Sequence, residues 1–138
     1  MIKTDTVNMN KYIMGKINKG RPLSHILRDG VVYAAVFDDA KARIGMTTET
    51  NYTARIRGHQ YMYGCLRYDG YVPTEFSALL ERTVHKVYQF YRMGGTSDLF
   101  IFPRISAWHI FSSIITDINK YRNIVRVRVE NFYYGDCK

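Results

Sequence analysis

A chain of 138 residues is long enough for one domain that buries a real core. Its 46% hydrophobic and 23% charged residues are ordinary for a soluble globular protein. No stretch approaches the length of a membrane span, and the first residues are polar without the apolar core of a signal peptide. We therefore expect a cytoplasmic protein that is neither a mini-protein nor a membrane protein.

The net charge of +8 and the pI near 9.6 predict a polyanionic partner, of which nucleic acid is the commonest. An anionic membrane surface is the alternative, but no basic amphipathic helix with a strong apolar face is evident. A basic composition can also serve solubility alone. Binding to phosphates would weaken steeply as salt is added.

The two cysteines, Cys65 and Cys137, are far apart and lie in no CxxC or Cys/His spacing. A structural zinc site is therefore not expected. Two reduced thiols are the expectation for a cytosolic chain.

The first half of the chain predicts an arm followed by a hairpin and a helix. Residues 1–29 are polar and basic, and we interpret them as an N-terminal arm. Residues 31–37 are apolar throughout, which predicts a central strand buried on both faces. A turn leads to a second strand at residues 42–46. A helix is predicted from about residue 49 to Arg57, ending at Gly58, and a third strand with a loop within residues 60–72.

The second half predicts two helices and two strands. Thr74 is a candidate N-cap for a helix that ends at Gly94-Gly95, with apolar residues at helical spacing. A short strand at residues 99–102 and a helix at residues 105–121 follow. Residues 124–132 alternate valine with charged residues, which predicts a half-exposed strand with a basic outer face.

The fold class that follows is α/β (α+β), with a small mixed sheet of three to four strands flanked by helices. The predicted order is β-β-α-β-α-β-α-β. We expect three segments: the basic arm at residues 1–29, a core at residues 30–103, and a C-terminal helix and strand extension packed on the core at residues 104–138.

Several polar residues recur at regular separations around the first hairpin. Tyr33 ends the tripeptide 31–33, and Arg43-Ile44-Gly45 begins ten residues later. Arg55 and His59 are four residues apart, so they share one face of a helix. Glu81 lies beside the apolar stripe of the later helix.

This ordered set resembles the GIY-YIG nuclease family. The tripeptide 31–33 stands in the place of GIY and residues 43–45 in the place of YIG, and Gly45 with Thr47 matches the family's "G-x-T". Arg55 and His59 match the family's helix, and Glu81 its later glutamate helix. The resemblance covers roughly residues 30–103 and implies a GIY-YIG-like core.

The stretch from residue 79 to 102 resembles a phage-associated subgroup of that family. In that subgroup a histidine follows the glutamate and a "glycine, acidic, Phe" strand comes next; here these are His85 and the segment before Phe100. The resemblance implies a protein of a phage or mobile element, at work in the cytoplasm of a bacterial cell or a phage-infected host. The family's late Asn has no fixed equivalent, although Thr96 and Asp98 fall near its place.

The resemblance implies hydrolysis of phosphodiester bonds with a divalent cation, Mg2+ or Mn2+. Glu81 would hold the metal, which polarises the phosphate and stabilises the leaving oxygen. Arg55 would clamp the same phosphate with its fork of donors. Tyr33 would position or deprotonate the attacking water, and His59 would be a second base or a phosphate contact. Arg43 replaces the tyrosine of the second motif and would contact the scissile phosphate.

Each of these residues also has an ordinary structural interpretation. Tyr33 can be a core tyrosine with a bonded hydroxyl, and Arg55 with His59 can form a solvated polar face. Glu81 can be a solvated helix residue paired with His85 one turn later. In the functional interpretation, His85 lies next to the metal.

The remaining basic side chains suit a surface that tracks phosphates. Tyr61, Tyr63 and Tyr68 can stack on splayed bases of a single strand or pack on the sheet. The residues that we predict to bind nucleic acid are Arg57, Arg67, Arg82, Lys86, Arg126 and Arg128.

Three functions remain open from the sequence. The first is a DNA endonuclease that takes its specificity from a partner protein or a homodimer, or that has little specificity. The second is an inactive protein that keeps the fold and binds nucleic acid or a host protein as an inhibitor, which Arg43 in the tyrosine place favours. The third is an RNA endonuclease with the same site.

Overall fold

The computed structural model describes residues 2–17, 21–94 and 97–135. It has a four-stranded antiparallel sheet with helices on both faces, so the predicted α/β class is confirmed. The strands are β1 Gly30–Phe37, β2 Lys41–Thr47, β3 Leu66–Thr74 and β4 Leu99–Ile101. The helices are α1 Met9–Ile17, α2 Tyr52–Tyr63, α3 Ser77–Val87 and α4 Ala107–Tyr134, with 3-10 turns at Leu23–His25 and Gln89–Tyr91.

Strand β1 is central, as its continuous apolar sequence predicts. The sheet order is β3-β1-β2-β4, so β1 has a neighbour on each side. Successive side chains of a strand point to opposite faces. One face of β1 packs with Val32 and Ala34 into the large core under α1, α3 and α4, and the other packs with Val31 and Tyr33 under α2. The predicted mixed sheet is wrong in one respect, because its four strands pair only antiparallel.

The β1–β2 hairpin places the two tripeptide motifs side by side. Asp39 and Ala40 form its turn with φ of 62° and 58°, the left-handed region that a tight hairpin turn requires. In this register Tyr33 pairs with Gly45. A Cβ on Gly45 would lie 2.6 Å from the Tyr33 hydroxyl oxygen, so the tyrosine occupies the space that glycine leaves open.

The predicted N-terminal arm contains a packed helix. Met9, Ile13 and Ile17 of α1 are buried at four-residue spacing and belong to the large core. Lysines and asparagines surround this stripe, which explains why composition favoured a solvated arm. Lys19 of the predicted arm lies outside the described residues.

The predicted strand at residues 124–132 is wrong, because α4 continues through it. Its buried residues continue at helical spacing through Tyr121, Val125 and Val129, while Val127 is 44% exposed. Valines at positions 125 and 129 fit both a strand of period two and a helix of period 3.6. Burial against the core selects the helix, so no basic strand face exists at Arg126 and Arg128.

Three predicted boundaries also differ. Helix α2 continues past Gly58 to Tyr63. Gly64 caps its C-terminal end with a φ of 86°, a backbone conformation that glycine adopts readily. Thr74 ends β3 rather than capping α3, and its Oγ1 accepts a hydrogen bond from the Phe76 amide at 3.1 Å. Helix α3 ends at Val87, ahead of the predicted Gly94.

Cys65 is exposed and unpaired with another described cysteine, and Cys137 lies outside the described residues. Among the helices described, none is both long and apolar enough to cross a membrane.

Gly45→Ala should destabilise the protein by about 1–3 kcal/mol, because its Cβ would overlap the buried Tyr33 ring. Gly58→Ala is the matched control: its Cβ meets nothing within 4 Å, and the helical alanine should raise stability by up to about 1 kcal/mol. Urea unfolding of both variants measures these changes. Equal effects of the two substitutions would contradict the close packing of Tyr33 on Gly45.

Candidate functional site

A buried hydrogen bond joins Tyr33 of β1 to His59 of α2. The Tyr33 hydroxyl lies 2.7 Å from His59 Nε2, and the tyrosine is 0% exposed. Burial raises the pKa of Tyr33, against the opposing charges of Arg55 and Arg43. Burial and the same two arginines lower the pKa of His59 to about 4, so its imidazole is neutral at pH 7.

The Tyr33 hydroxyl is not open to solvent, as it would have to be to contact the attacking water directly. Tyr33 packs among Val31, Ala35 and Ile56 beneath α2. An opening of about 480 Å³ beside α2 is lined instead by Arg55 and His59, with Asn51, Ala54 and Gly58. His59 is therefore the group through which the Tyr33 hydroxyl can affect chemistry in this opening.

Arg43 of β2 lies between an aromatic ring and a carboxylate. Its Nη1 donates to the Tyr63 hydroxyl at 3.0 Å, and its Nη2 lies 3.7 Å from Asp98 Oδ2. Its guanidinium carbon is 5.5 Å from the centre of the Tyr63 ring, within cation–π range. The side chain is only 17% exposed, and the Asp98 carboxylate compensates its charge within the protein.

Arg55 occupies the exposed face of α2, next to the opening. Burial raises the pKa of Tyr33 and the nearby Arg55 charge opposes this shift, so the guanidinium lies close to the Tyr33–His59 pair. The predicted i, i+4 relation of Arg55 and His59 is confirmed, since both line the same opening.

Three side chains of kinds that can bind a metal lie close together on the other side of Arg43. Glu81 and His85 are one turn apart on α3, and Asp98 immediately precedes β4. One ligand atom from each lies within 4.8 Å of the others. His85 was predicted to lie next to a metal held by Glu81, and the structure brings both residues into one donor set.

The Glu81 carboxyl group holds its proton more tightly than a free glutamate does. Burial and the neighbouring Asp98 carboxylate raise its pKa to about 7, against a hydrogen bond from the Met46 backbone and the charges of Arg82 and Arg92. A cation between the two carboxylates would remove their repulsion and favour the ionised form of Glu81.

His85 is buried, and its Nε2 lies 2.6 Å from the Ile44 carbonyl oxygen. A carbonyl only accepts, so Nε2 carries the proton and Nδ1 keeps the free lone pair. Nε2 is also 3.9 Å from Asp98 Oδ1. Burial lowers the pKa of His85, which favours the neutral imidazole that a metal requires.

The donor chemistry fits a divalent cation. Two carboxylates suit Mg2+, and an imidazole beside them is better suited to Mn2+ or a later transition metal than to Mg2+. His85 would bind such a metal through Nδ1, or through Nε2 after releasing Ile44. Glu81, His85 and Asp98 are thus the residues that would hold a metal in this protein.

Asp98 links the two halves of the site. Its carboxylate opposes the lowering of the His59 pKa and contributes to the raised pKa of Glu81, while it also lies against Arg43. The predicted catalytic residues thus lie in two adjoining groups, one beside Asp98 and one at the opening beside α2. These residues are Tyr33, Arg43, Arg55, His59 and Glu81.

The predicted nucleic-acid-binding residues do not form one surface. Arg57 is exposed on α2, and Arg67 on β3 pairs with Asp38 at 3.1 Å. Arg82 and Lys86 line one cavity beside Glu81. The two remaining arginines lie on α4, where Arg126 borders a different cavity and Arg128 donates to Asn10.

The aromatic residues also separate. Tyr61 is 91% exposed at the end of α2, where a base can reach it. Tyr63 instead packs against Arg43, and Tyr68 packs against Trp108 and Phe111 on the far edge of the sheet. Packing on the protein thus accounts for two of the three tyrosines.

Sequence reasoning understated Asp98 and missed Arg92 and Tyr12. Asp98 was considered only as a substitute for a late Asn; its position directly before a short apolar strand was the available signal. Arg92 and Tyr12 reach the site through the turn after α3 and through α1, and no motif marks either. Thr96, the other candidate for that Asn, lies outside the described residues.

Comparison with known proteins adds no assignment: no family model, curated protein or solved structure matches this chain. The relation to GIY-YIG nucleases stays a prediction that rests on the motifs.

Glu81→Gln should stabilise the metal-free protein at high pH. Folding raises the Glu81 pKa from 4.5 to about 7. The protonated Glu81 side chain therefore contributes fully to the stability of the wild type below pH 4.5, and this contribution is lost as the pH rises through 7. At pH 8 the free energy of unfolding of the variant should therefore exceed that of the wild type by on the order of 1–2 kcal/mol, after allowance for solvent screening.

Urea unfolding in EDTA at pH 4.5 and pH 8 tests this difference. Glu130→Gln, on the exposed face of α4, is the control and should change stability by less than about 0.5 kcal/mol at both pH values. A gain for Glu81→Gln that is the same at both pH values would contradict the raised pKa.

Proposed function

We propose that this protein is a metal-dependent endonuclease that hydrolyses phosphodiester bonds in DNA. The observation that carries the proposal is the Glu81–His85–Asp98 donor set next to Arg43 and to the opening lined by Arg55 and His59. A phosphodiester needs neutralisation of its charge and activation of a water molecule. Both kinds of group are gathered here.

The metal-binding role falls to Glu81, His85 and Asp98. A bound divalent cation supplies Lewis acidity to a phosphate and stabilisation to its leaving oxygen. Arg55, exposed at the opening, binds a nonbridging phosphate oxygen with its planar fork. Arg43 adds positive charge between the opening and the carboxylates.

His59 is the proposed base of the site. Its neutral imidazole can accept a proton from water at pH 7, although a pKa of about 4 makes it a weak base until an anion or a metal changes its surroundings. Tyr33 fixes the orientation of the imidazole through the 2.7 Å hydrogen bond. Tyr33 is therefore a positioning residue in this proposal.

The basic charge of the chain supports a nucleic-acid substrate. We propose DNA as the substrate and the cytoplasm of a bacterial cell or phage-infected host as the place of action, on the strength of the motif resemblance. RNA is the alternative substrate for the same groups. A homodimer or a protein partner would supply specificity.

A second candidate is a protein that binds nucleic acid or a host protein without cutting. Two observations favour it: Tyr33 is completely buried, and Arg43, which replaces the motif tyrosine, lies against Asp98. In that case the arginines bind phosphate or acidic side chains, and the ion pair compensates charge in the fold.

A plasmid-nicking assay separates the two candidates. Wild type should cut with Mg2+ or Mn2+ and not in EDTA, whereas Glu81→Ala and Arg55→Ala should each lower the rate by about 10²-fold or more. Glu130→Ala, an exposed carboxylate change on α4, should leave the rate unchanged. Labelled RNA beside labelled DNA identifies the substrate.

Retained binding of DNA with no cutting in any metal would overturn the nuclease proposal and support the binding protein. Loss of binding in Arg55→Ala together with unchanged circular dichroism would show that the arginine acts on the ligand rather than on the fold.

His59→Ala and Tyr33→Phe distinguish the base from the residue that orients it. His59→Ala should lower kcat by about 10²-fold or more. Tyr33→Phe removes one hydrogen bond and should lower kcat by about tenfold with KM unchanged. Single-turnover rates as a function of pH measure both effects. A larger loss for Tyr33→Phe, with the fold intact, would contradict the role of His59.

A further inference from the structure

A second cavity, of about 240 Å³, lies between α1 and the Glu81–His85–Asp98 group. Glu81 and His85 form one part of its wall, so it adjoins the proposed metal site. Three cations, Arg82, Lys86 and Arg92, and the ring of Tyr12 form much of the rest.

The three cations differ in how far the protein already neutralises them. Lys86 Nζ lies 3.7 Å from Asp5 Oδ2 and donates to the Gln89 side chain at 3.1 Å. Arg92 donates from Nε to the Ser97 carbonyl oxygen at 2.7 Å, and its two terminal amino groups have no hydrogen-bond partner among residues 2–17, 21–94 and 97–135. Within the described ranges, no ion pair or hydrogen bond engages the exposed Arg82 side chain.

Arg82 and Arg92 come from different segments but face the same place. Arg82 lies on α3 and Arg92 follows the 3-10 turn Gln89–Tyr91, and both side chains line the same cavity as Tyr12. Two guanidiniums that line one small cavity are suited to a compact anion with several acceptor oxygens. Glu81 itself faces such an anion only when a metal or a proton covers its charge.

The size of the cavity restricts the anion. Pockets that hold drug-sized ligands have about 300–1,000 Å³, so a cavity of 240 Å³ suits a phosphate group better than a whole nucleotide. Most of the described side chains in its wall are charged or polar, so the wall offers a base little apolar surface besides the Tyr12 ring.

We propose that this cavity is a second phosphate subsite, in which Arg82, Arg92 and Tyr12 bind a substrate phosphate that neighbours the one at the metal. The inference rests on the proposed function for the identity of the substrate as a nucleic acid. Its consequence is that α1, the helix in the predicted basic arm, takes part in substrate binding. The nucleic-acid strand would pass from the opening at Arg55, across Glu81, His85 and Asp98, toward α1.

The subsite can be tested without any cleavage. Inorganic phosphate is titrated into the full-length protein in EDTA at constant ionic strength, and the arginine side-chain Nε–H signals are followed by NMR. Phosphate should shift the Arg82 and Arg92 signals in a saturable way, and Arg82→Gln should weaken the affinity by about tenfold or more. Arg104→Gln, an exposed arginine that does not line the cavity, is the control with the same charge change.

The second arm uses the nuclease reaction. Oligonucleotides with one neutral methylphosphonate at a time are cut with Mn2+. One position beside the scissile phosphate should slow wild type by about tenfold and slow Arg82→Gln no further, because the lost charge and the lost guanidinium act on one contact.

The outcomes separate the two proposals. Phosphate binding without cleavage of any nucleic acid supports the subsite and overturns the nuclease. Cleavage with no phosphate effect on Arg82 and Arg92, and with additive effects of methylphosphonate and Arg82→Gln, overturns the subsite and leaves the nuclease. Equal weakening by Arg104→Gln also overturns the subsite, since the effect would be one of net charge alone.

Discussion

Tyr33 packs against Gly45 across the antiparallel β1–β2 hairpin, where a side chain on the glycine would overlap the tyrosine ring. The remaining site geometry depends on this close approach. It allows the tyrosine to lie under α2 and to form a hydrogen bond with His59. His59 in turn lines the opening beside α2. It also sets the register that places Arg43 opposite Ala35 and beside β4, so that Asp98 can meet the guanidinium.

Charge is compensated across the site rather than within each element. Asp98 comes from the segment before β4, Arg43 from β2 and Glu81 from α3. Burial and the Asp98 carboxylate raise the pKa of Glu81, while the charges of Arg82 and Arg92 oppose this shift. The contact of Arg43 with Asp98 fits both proposed functions, because an arginine beside a carboxylate can serve a phosphate site or simply compensate charge within the fold.

The fold was predictable where sequence patterns had a single solution. Residues 31–37 have no polar face, so only a central strand fits them, and β1 is central. The pattern at residues 124–132 had two solutions, because Val125 and Val129 suit a strand and a helix alike. The stripe of Met9, Ile13 and Ile17 was short and surrounded by polar residues, and only the core that it helps to cover makes its burial favourable.

By itself the sequence determined the central hairpin, the basic charge, and five polar residues that the structure gathers in one region. Local periodicity predicts the hairpin and the composition gives the charge, whereas the five polar residues were identified because their order and spacing resemble the GIY-YIG motifs. Only the tertiary structure decided that Tyr33 is buried, that Asp98 joins Glu81 and His85, and that Tyr12 and Arg92 line the adjoining cavity. Those relations join segments up to 80 residues apart, as Tyr12 and Arg92 show, and they depend on how helices pack on the sheet rather than on any local pattern.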